Sequence, residues 1–564
     1  MKRALPRKTD KIKTNAKPRA GRRLVLCLAV AVLAIAVYLP VMRHGYTLMD
    51  DYGLIVENYS LIGDIGNIVG AFKADAYGGN GALYRPLLTV SFILDSLYSG
   101  KNAWGYHLTN ILLHAACCCL LFYLLVTLKY SARASFIASS IFSIHPVLVQ
   151  AVAWIPGRND IILTVWVLAS FIFWDRYLEK KKVLWLFLHF ASGLLAVFAK
   201  ETALLLPALL LLFAWLGKRE AVFKMYFQLI AGWLVIGSLW LFMKMTAAPG
   251  LGETTVNSLP DIASGLLGYI GKIVIPLKFA AIPVPRDTSL VIALAGAGIL
   301  VSGILMGLRN RRSFLLGLGW FLLFLAPNFF SSTDYANFME HRLYLPLIGF
   351  IIMVLELNIW LMAAQRPAVS YAIYSIVLIL LGVKTVVHAE DFKNENVFWD
   401  YAVRSSPSLY YVHDMQGRLF LQNGRLKEAE RAFKKVVALK GDYPHGYNDL
   451  GIAQMSQGRY REAEAGFNKA LEISPSFRDA RMNLGTLYLE LGDLGRAGTS
   501  FTRMLEFQPD DHQALNNLGI VYYRRNLPDS AQKYLEQALT LDPGNRSYQT
   551  NLRAVMRSAS GGVR

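Results

Sequence analysis

The sequence predicts an all-α protein: a polytopic membrane helix bundle of about 11 spans, followed by an α-solenoid. Three observations predict it. Hydrophobic residues make up 54% of the 564-residue chain and its mean hydropathy is +0.36, too apolar for a soluble globular protein. Apolar runs of about 18 residues or longer, enough to cross a hydrocarbon core of about 30 Å, recur from Leu24 to about Val387. From Asp391 onward the chain becomes charged and helix-forming, and a 34-residue period sets in.

The elements follow in order. Residues 1–23 are a basic tail with ten Lys/Arg. The apolar run after it is too long for a signal-peptide core and has no small-x-small cleavage site before Pro40, so it reads as an uncleaved first helix. Residues 24–390 form the membrane domain, with expected spans at 24–42, 106–128, 134–154, 160–178, 183–199, 201–217, 225–243, 288–308, 314–331, 343–363 and 369–387. The first outside loop covers 43–105. The apolar stretch 262–282 carries Gly265, Gly268, Gly271 and Pro276 and reads as interfacial or re-entrant, because counting it as a crossing would move Arg309, Arg311 and Arg312 outside. The tail and short inside loops then hold 23 Lys/Arg, against 11 in the longer outside loops. This topology leaves the N-terminus in the cytoplasm and the C-terminal region outside it, and short loops with a basic tail suit a bacterial inner membrane.

After a linker at 391–409, residues 410–545 repeat four times, with a cap and tail at 546–564. Gly417, Gly451, Gly485 and Gly519 are 34 residues apart, as are Ala429, Ala463, Ala497 and Ala531. Phe433, Phe467, Phe501 and Leu535 form a third column, and Pro475, Pro509 and Pro543 close units. That period, with small residues at those offsets, is the signature of tetratricopeptide (TPR) repeats. Small residues let paired helices approach, and the bulky column fills the gap between neighbours.

Composition excludes other classes. The net charge of +19 is not a nucleic-acid footprint, because residues 391–564 carry 23 Lys/Arg against 20 Asp/Glu. The excess lies in the tail and short loops, where it sets topology or meets anionic lipid headgroups. Cys27, Cys117, Cys118 and Cys119 all fall inside expected spans, without metal-ligand spacing or a disulfide framework.

Candidate chemistry gathers at the outer face. Asp50 and Asp51 open the first outside loop; an adjacent carboxylate pair there is either a solvated turn, a general base, or a holder of a divalent cation. Tyr84-Arg85-Pro86-Leu87 follows. His107, Asn110 and His114 share one helix face, which turns polar groups towards other helices or an aqueous cavity. His145-Pro146, Gly157-Arg158-Asn159-Asp160, Lys200-Glu201 and Glu340-His341-Arg342 complete the set. Arginine there suits a phosphate, whose oxygens its planar fork binds in pairs.

The order of Asp50-Asp51, Tyr84-Arg85-Pro86-Leu87, His107-Leu108-x-Asn110, His145-Pro146, Gly157-Arg158-x-Asp160, Lys200-Glu201 and Glu340-x-Arg342-x-Tyr344-Leu345-Pro346 resembles the transmembrane-and-TPR O-mannosyltransferases of the GT-C superfamily. The resemblance covers nearly the whole chain. It implies a GT-C-like bundle and transfer of a sugar, mannose first, from a polyprenyl-phosphate carrier to a protein hydroxyl outside the cytoplasm, with inversion. It implies Asp50 or Asp51 as the base. Arg342, with Arg158, Lys200 and Arg85, would hold the donor phosphate; His107, Asn110, His145, Asp160, Glu201 and Glu340 would line the cavity. No metal site is expected beyond a divalent cation at the acidic pair, and the partners are membrane lipids, the lipid-linked sugar and a peptide in the TPR groove. A non-catalytic TPR scaffold is the competing expectation. A transporter is disfavoured because charges at mid-membrane depth are scarce.

Overall fold

At about 1.5 Å of rise per residue, a helix needs about 20 residues to cross the apolar core, and that arithmetic sorts the bundle. The computed structural model describes residues 20–76, 83–217, 223–250, 255–331, 338–358 and 366–561; most of the basic tail, residues 218–222 of the expected inside loop 218–224 and the end of the expected span 343–363 lie outside them. Among the described residues, six helical segments are long and apolar enough to span: Gly21–Arg43, Ala103–Thr127, Ile155–Lys180, Lys224–Ala247, Arg311–Phe329 and Ala368–Phe392. A seventh is a bent pair, Ala132–Ser143 and Pro146–Ala153, angled by 51°. The expected spans 183–199, 201–217, 288–308 and 343–363 appear as apolar helices of 10–17 residues, so length alone does not give eleven.

The helices used below are α1 (Ala20–Tyr38), α2 (Tyr59–Ile62), α3 (Ile68–Ala71), α4 (Pro86–Ser99), α5 (Ala103–Thr127), α6 (Ala132–Ser143), α7 (Val149–Ala153), α8 (Arg158–Lys180), α9 (Val183–Ala199), α10 (Leu206–Leu216), α11 (Phe223–Ala247), α12 (Leu259–Val274), α13 (Leu290–Leu305), α14 (Arg311–Leu325), α15 (Pro346–Leu355) and α16 (Pro367–Ala389). The expected continuous helix 134–154 breaks at Ile144-His145-Pro146. Proline removes a backbone donor, and the His145 ring accepts the Val147 N–H at 3.2 Å to start the next turn.

Among the described residues, the expected first outside loop, 43–105, is largely helical. Turns at 52–57 and 65–67 join α2, α3 and α4, and Leu54, Ile55, Ile62, Leu88, Phe92 and Ile93 bury against Tyr106 and Ile155. Of segment 262–282, residues up to Val274 belong to α12 and the rest is not helical. Before this helix, Thr255 and Val256 pair antiparallel with Ser331 and Phe330; near its end Tyr269 Oη donates to Met339 O at 3.1 Å and Lys272 meets Glu340 at 2.6 Å. Elsewhere in the bundle, Tyr130 Oη donates to Glu356 Oε1 at 2.5 Å and Arg309 N–H to Glu356 O at 2.8 Å.

Helices α14 and α15 touch through glycines. A Cβ on Gly349 would lie 2.5 Å from both Gly317 O and Phe321 N, and backbone cannot yield as a side-chain tip can. Gly349→Val should therefore destabilise the bundle by about 1–3 kcal/mol through overpacking, read as a lower thermal midpoint of the detergent-purified protein; an unchanged midpoint contradicts the packing. Buried polar groups join other helices: His189 on α9 accepts Trp233 Nε1–H from α11 at 3.1 Å and bonds Ser170 of α8 at 2.8 Å.

The chain divides into two compact units, Met1–Tyr401 and Ala402–Arg564. The expected linker contains a helix, Glu395–Ser405. In the second unit, helix pairs 410–422/426–439, 444–455/460–473, 478–490/494–507 and 512–524/528–541 precede a last helix, 546–561. The sequence columns become contacts: a Cβ on Gly417, Gly451, Gly485 or Gly519 would meet Phe433, Phe467, Phe501 or Leu535 at 2.5–2.7 Å. Gly424, Gly458, Gly492 and Asn526 occupy the turn within each pair with φ of 71°, 75°, 75° and 63°, the left-handed region that glycine and asparagine tolerate.

Candidate active site

The turn Gly157-Arg158-Asn159-Asp160 starts α8 and organises that end of the helix. It presses on α7 so closely that a Cβ on Gly157 would sit 2.6 Å from Gln150 O. Successive helical residues point about 100° apart, so Arg158 and Asp160 face different neighbours.

Arg158 faces inward and is fully buried. It pairs with Asp95 of α4 at 2.5 Å. Its Nε donates to Asn110 Oδ1 at 2.6 Å, and its terminal nitrogens donate to Ser91 Oγ at 3.1 Å and Tyr106 O at 2.5 Å. The guanidinium lies over the Phe92 ring, 4.9 Å from its centroid. Asn110 in turn donates to Val152 O at 3.1 Å and Ile155 O at 3.3 Å. Thr109 and Tyr98 donate to Asp95 Oδ1 at 2.6 and 3.0 Å. Arg158 and Asn110, expected to face a ligand, instead pin α4, α5, α7 and α8 together.

Asp160 faces the other way, into a charged cluster. Lys200 Nζ donates to its two oxygens at 2.8 and 3.0 Å, and His341 Nε2 stands 3.9 Å from Oδ2. Arg85 lies 3.5 Å from Glu201; with the Asn159 amide turned to satisfy both its atoms, its oxygen accepts from Arg85 at 3.1 and 3.3 Å. Arg342 sits within electrostatic reach of Asp160, Arg85 and Glu201. Burial, then the nearby Arg85 and Arg342, pulls the Lys200 ammonium below the ordinary lysine range against the opposing pull of Asp160. Burial likewise lowers Arg342. Arg85 precedes α4, Asp160 lies in the first turn of α8, and Arg342 precedes α15, so three helix N-termini add positive potential to three cations facing two carboxylates. Such a cluster suits an anion.

The acidic pair divides as well. Asp51 is 1% exposed; it accepts Thr47 N–H at 2.7 Å, Thr47 Oγ1–H at 3.0 Å and Tyr52 N–H at 2.9 Å. These bonds close a tight turn around Leu48, whose φ of 55° is costly for a residue with a Cβ. Burial raises the Asp51 carboxyl to about 6, against the lowering effect of those donors. Asp50, next to it, is only half-buried.

The other expected cavity residues scatter. His107 is buried beside the His44 and Gly45 backbone, its ring edge-on to His44 at 6.1 Å. His145 is occupied by Val147 N–H and by Ile273 O at 3.0 Å. Glu340 is buried and accepts Lys272 Nζ at 2.6 Å and Ala280 N–H at 3.0 Å, with His388 at 3.6 Å. Sequence reasoning missed Asp95, Lys272, His388 and Gln150. Asp95 had a signal, a lone carboxylate after the apolar run Phe92-Ile93-Leu94; the others are decided by tertiary contacts. His114 accepts or donates at 2.6 Å with Tyr344 Oη, anchoring the segment that carries His341 and Arg342. Among the described residues no group of three or more His, Cys, Asp or Glu could hold a metal ion.

Comparison with known proteins places this geometry in context. A tetratricopeptide repeat model matches residues 415–476, 448–512 and 482–546. The chain is 30% identical over 182 residues to the protein O-mannosyl-transferase Tmtc1 of Drosophila melanogaster, covering 31% of this chain and 21% of that protein. It is 32% identical over 151 residues to the mouse (Mus musculus) protein O-mannosyl-transferase TMTC2, covering 26% and 18%. A Caenorhabditis elegans protein O-mannosyl-transferase aligns more broadly, at 24% identity over 462 residues, 76% of this chain and 64% of the relative. The chain thus spans about a fifth of the length of the first two relatives. The curated relatives are O-mannosyl-transferases of the transmembrane-and-TPR type, in keeping with apolar helices followed by TPR repeats here. Among solved structures, the crystal structure of MamA overlays 26% of this chain and 89% of its own at 23% identity and a TM-score of 0.24.

Proposed function

We propose that this chain is an integral-membrane glycosyltransferase, moving mannose from a polyprenyl-phosphate donor to a protein hydroxyl on the extracytoplasmic side. The observation that carries the reading is the convergence of Arg85, Lys200 and Arg342 on the Asp160 end of α8; the relatives named as protein O-mannosyl-transferases support the reaction class. In this reading Asp50 takes the proton of the acceptor hydroxyl as its oxygen attacks the anomeric carbon. The bond from that carbon to the phosphate oxygen breaks on the opposite face, inverting the centre. The departing phosphate carries the electron pair into the field of the three cations, which stabilise charge that develops in the transition state. Asp51 fixes the turn that carries Asp50; Arg158 and Asn110 hold the frame. Lipid surrounds the bundle and delivers the donor, and the TPR array holds the acceptor peptide.

The protein is then a multi-pass protein of a bacterial inner membrane, with the N-terminus cytoplasmic and the repeats periplasmic. Arg342→Gln and Lys200→Met, inserted at normal levels, should each lower hexose on envelope proteins at least tenfold by mass spectrometry. Unchanged glycans in both variants would reject the enzyme and leave the scaffold. A reporter fused after Arg564 that works in the cytoplasm would reject the orientation.

A further inference from the structure

His341 has a fixed tautomer. Gln150 Nε2 donates to Ala281 O at 2.8 Å, which turns its Oε1 towards residue 341. That oxygen accepts the His341 backbone N–H at 3.0 Å and lies 3.2 Å from His341 Nδ1. An amide oxygen only accepts, so Nδ1 carries the proton and Nε2 presents a lone pair. Nε2 makes no hydrogen bond among the described residues, and 3.9 Å from Asp160 Oδ2 is beyond bonding range. Burial and then Lys200, Arg342 and Arg85 hold the imidazole well below its ordinary pKa; it stays neutral. Trp154 packs against the ring with centroids 5.3 Å apart, preventing it from swinging away. The imidazole is still 12% exposed, so a ligand can reach it.

The bare lone pair of His341 Nε2 therefore faces Asp160 Oδ2, which already accepts Lys200 Nζ at 3.0 Å, beside an anion site. That is an unfavourable arrangement until a donor enters, and the adjoining cations make a metal ion a poor candidate. We propose that His341 Nε2 and Asp160 Oδ2 bind hydroxyl groups of the donor sugar, making His341 a specificity-determining residue. This rests on the phosphate reading above. Neighbouring hydroxyls on a pyranose ring can each donate to one acceptor while the attached phosphate meets Arg85, Lys200 and Arg342. A site built to bond a hydroxyl discriminates strongly against a ligand lacking one.

The test uses the full chain in detergent and two probes that share a phosphomonoester, mannose 1-phosphate and methyl phosphate. Wild-type protein should bind mannose 1-phosphate about tenfold more tightly, the scale of one or two such hydrogen bonds. His341→Phe should erase that preference while leaving methyl phosphate affinity and the thermal midpoint unchanged. His341→Gln, which offers an acceptor oxygen, should restore part of it; a purely structural role predicts no such rescue. Equal affinity of wild-type protein for both probes, or a preference kept in His341→Phe, overturns this inference and spares the phosphate site. Binding of neither probe overturns both. Should His341→Phe fail to fold, the wild-type preference and its partial retention in His341→Gln still decide the matter.

Discussion

Arg158→Met should destabilise the membrane unit by about 3–5 kcal/mol, the usual cost of removing one partner from a buried ion pair. The side chain is fully buried and meets Asp95 at 2.5 Å, while also serving Asn110, Ser91 and Tyr106. Without it, the Asp95 carboxylate stays desolvated with hydroxyl donors only, and Asn110 loses its donor. The double variant Asp95→Leu/Arg158→Met removes both charges and should recover much of the loss, because an apolar pair avoids the desolvation of two ions. Denaturant or thermal unfolding of the purified protein reads both. If the single variant is as stable as wild type, the guanidinium is not the tie between α4, α5 and α8. Arg342, proposed above to meet the donor phosphate, should behave oppositely: Arg342→Gln should lower activity, with a smaller effect on stability.

That contrast explains which parts of the site were legible. The sequence places Arg158 and Asp160 in one charged turn, but their two-residue offset turns them about 200° apart on α8. Both are buried, and only the packing of α4 and α5 against the turn decides which one meets Asp95. Arg85, Lys200 and Arg342 are 115 and 142 residues apart in turn, and no local pattern brings them together; motif order did so through resemblance.

The solenoid was legible because each repeat solves the same packing problem locally, so a contact such as Gly485 against Phe501 recurs as a column. The apolar helices were legible for a similar reason, as with α9, whose bounds match the expected 183–199. The fold of the first outside segment was hidden, since α2 and α3 are four residues each, little more than one helical period. Pro146 announces the break in 134–154, although the apolar run on both sides masks it.

Asp50→Asn should abolish glycosyl transfer at normal protein levels, whereas Asp51→Asn should chiefly destabilise the protein. Asp51 uses both oxygens as acceptors, two bonds to Thr47 and one to the Tyr52 N–H. An asparagine keeps one oxygen and sets an N–H against an N–H at the other position, a cost of about 1–3 kcal/mol for an unsatisfied buried donor. The pH dependence carries a sign. The folded Asp51 carboxyl is raised to about 6 from 3.8, so the folded state holds its proton more tightly than the unfolded chain. The stabilisation from that proton is full below the unfolded value and disappears as pH rises through about 6. Wild-type stability should therefore fall across pH 4–6 by more than that of Asp51→Asn, which does not titrate, as followed by thermal unfolding in detergent. Asp50→Asn should keep the wild-type stability profile while hexose disappears from envelope proteins. A fully active Asp50→Asn would remove the proposed base, and a stable, inactive Asp51→Asn would pass that role to its neighbour.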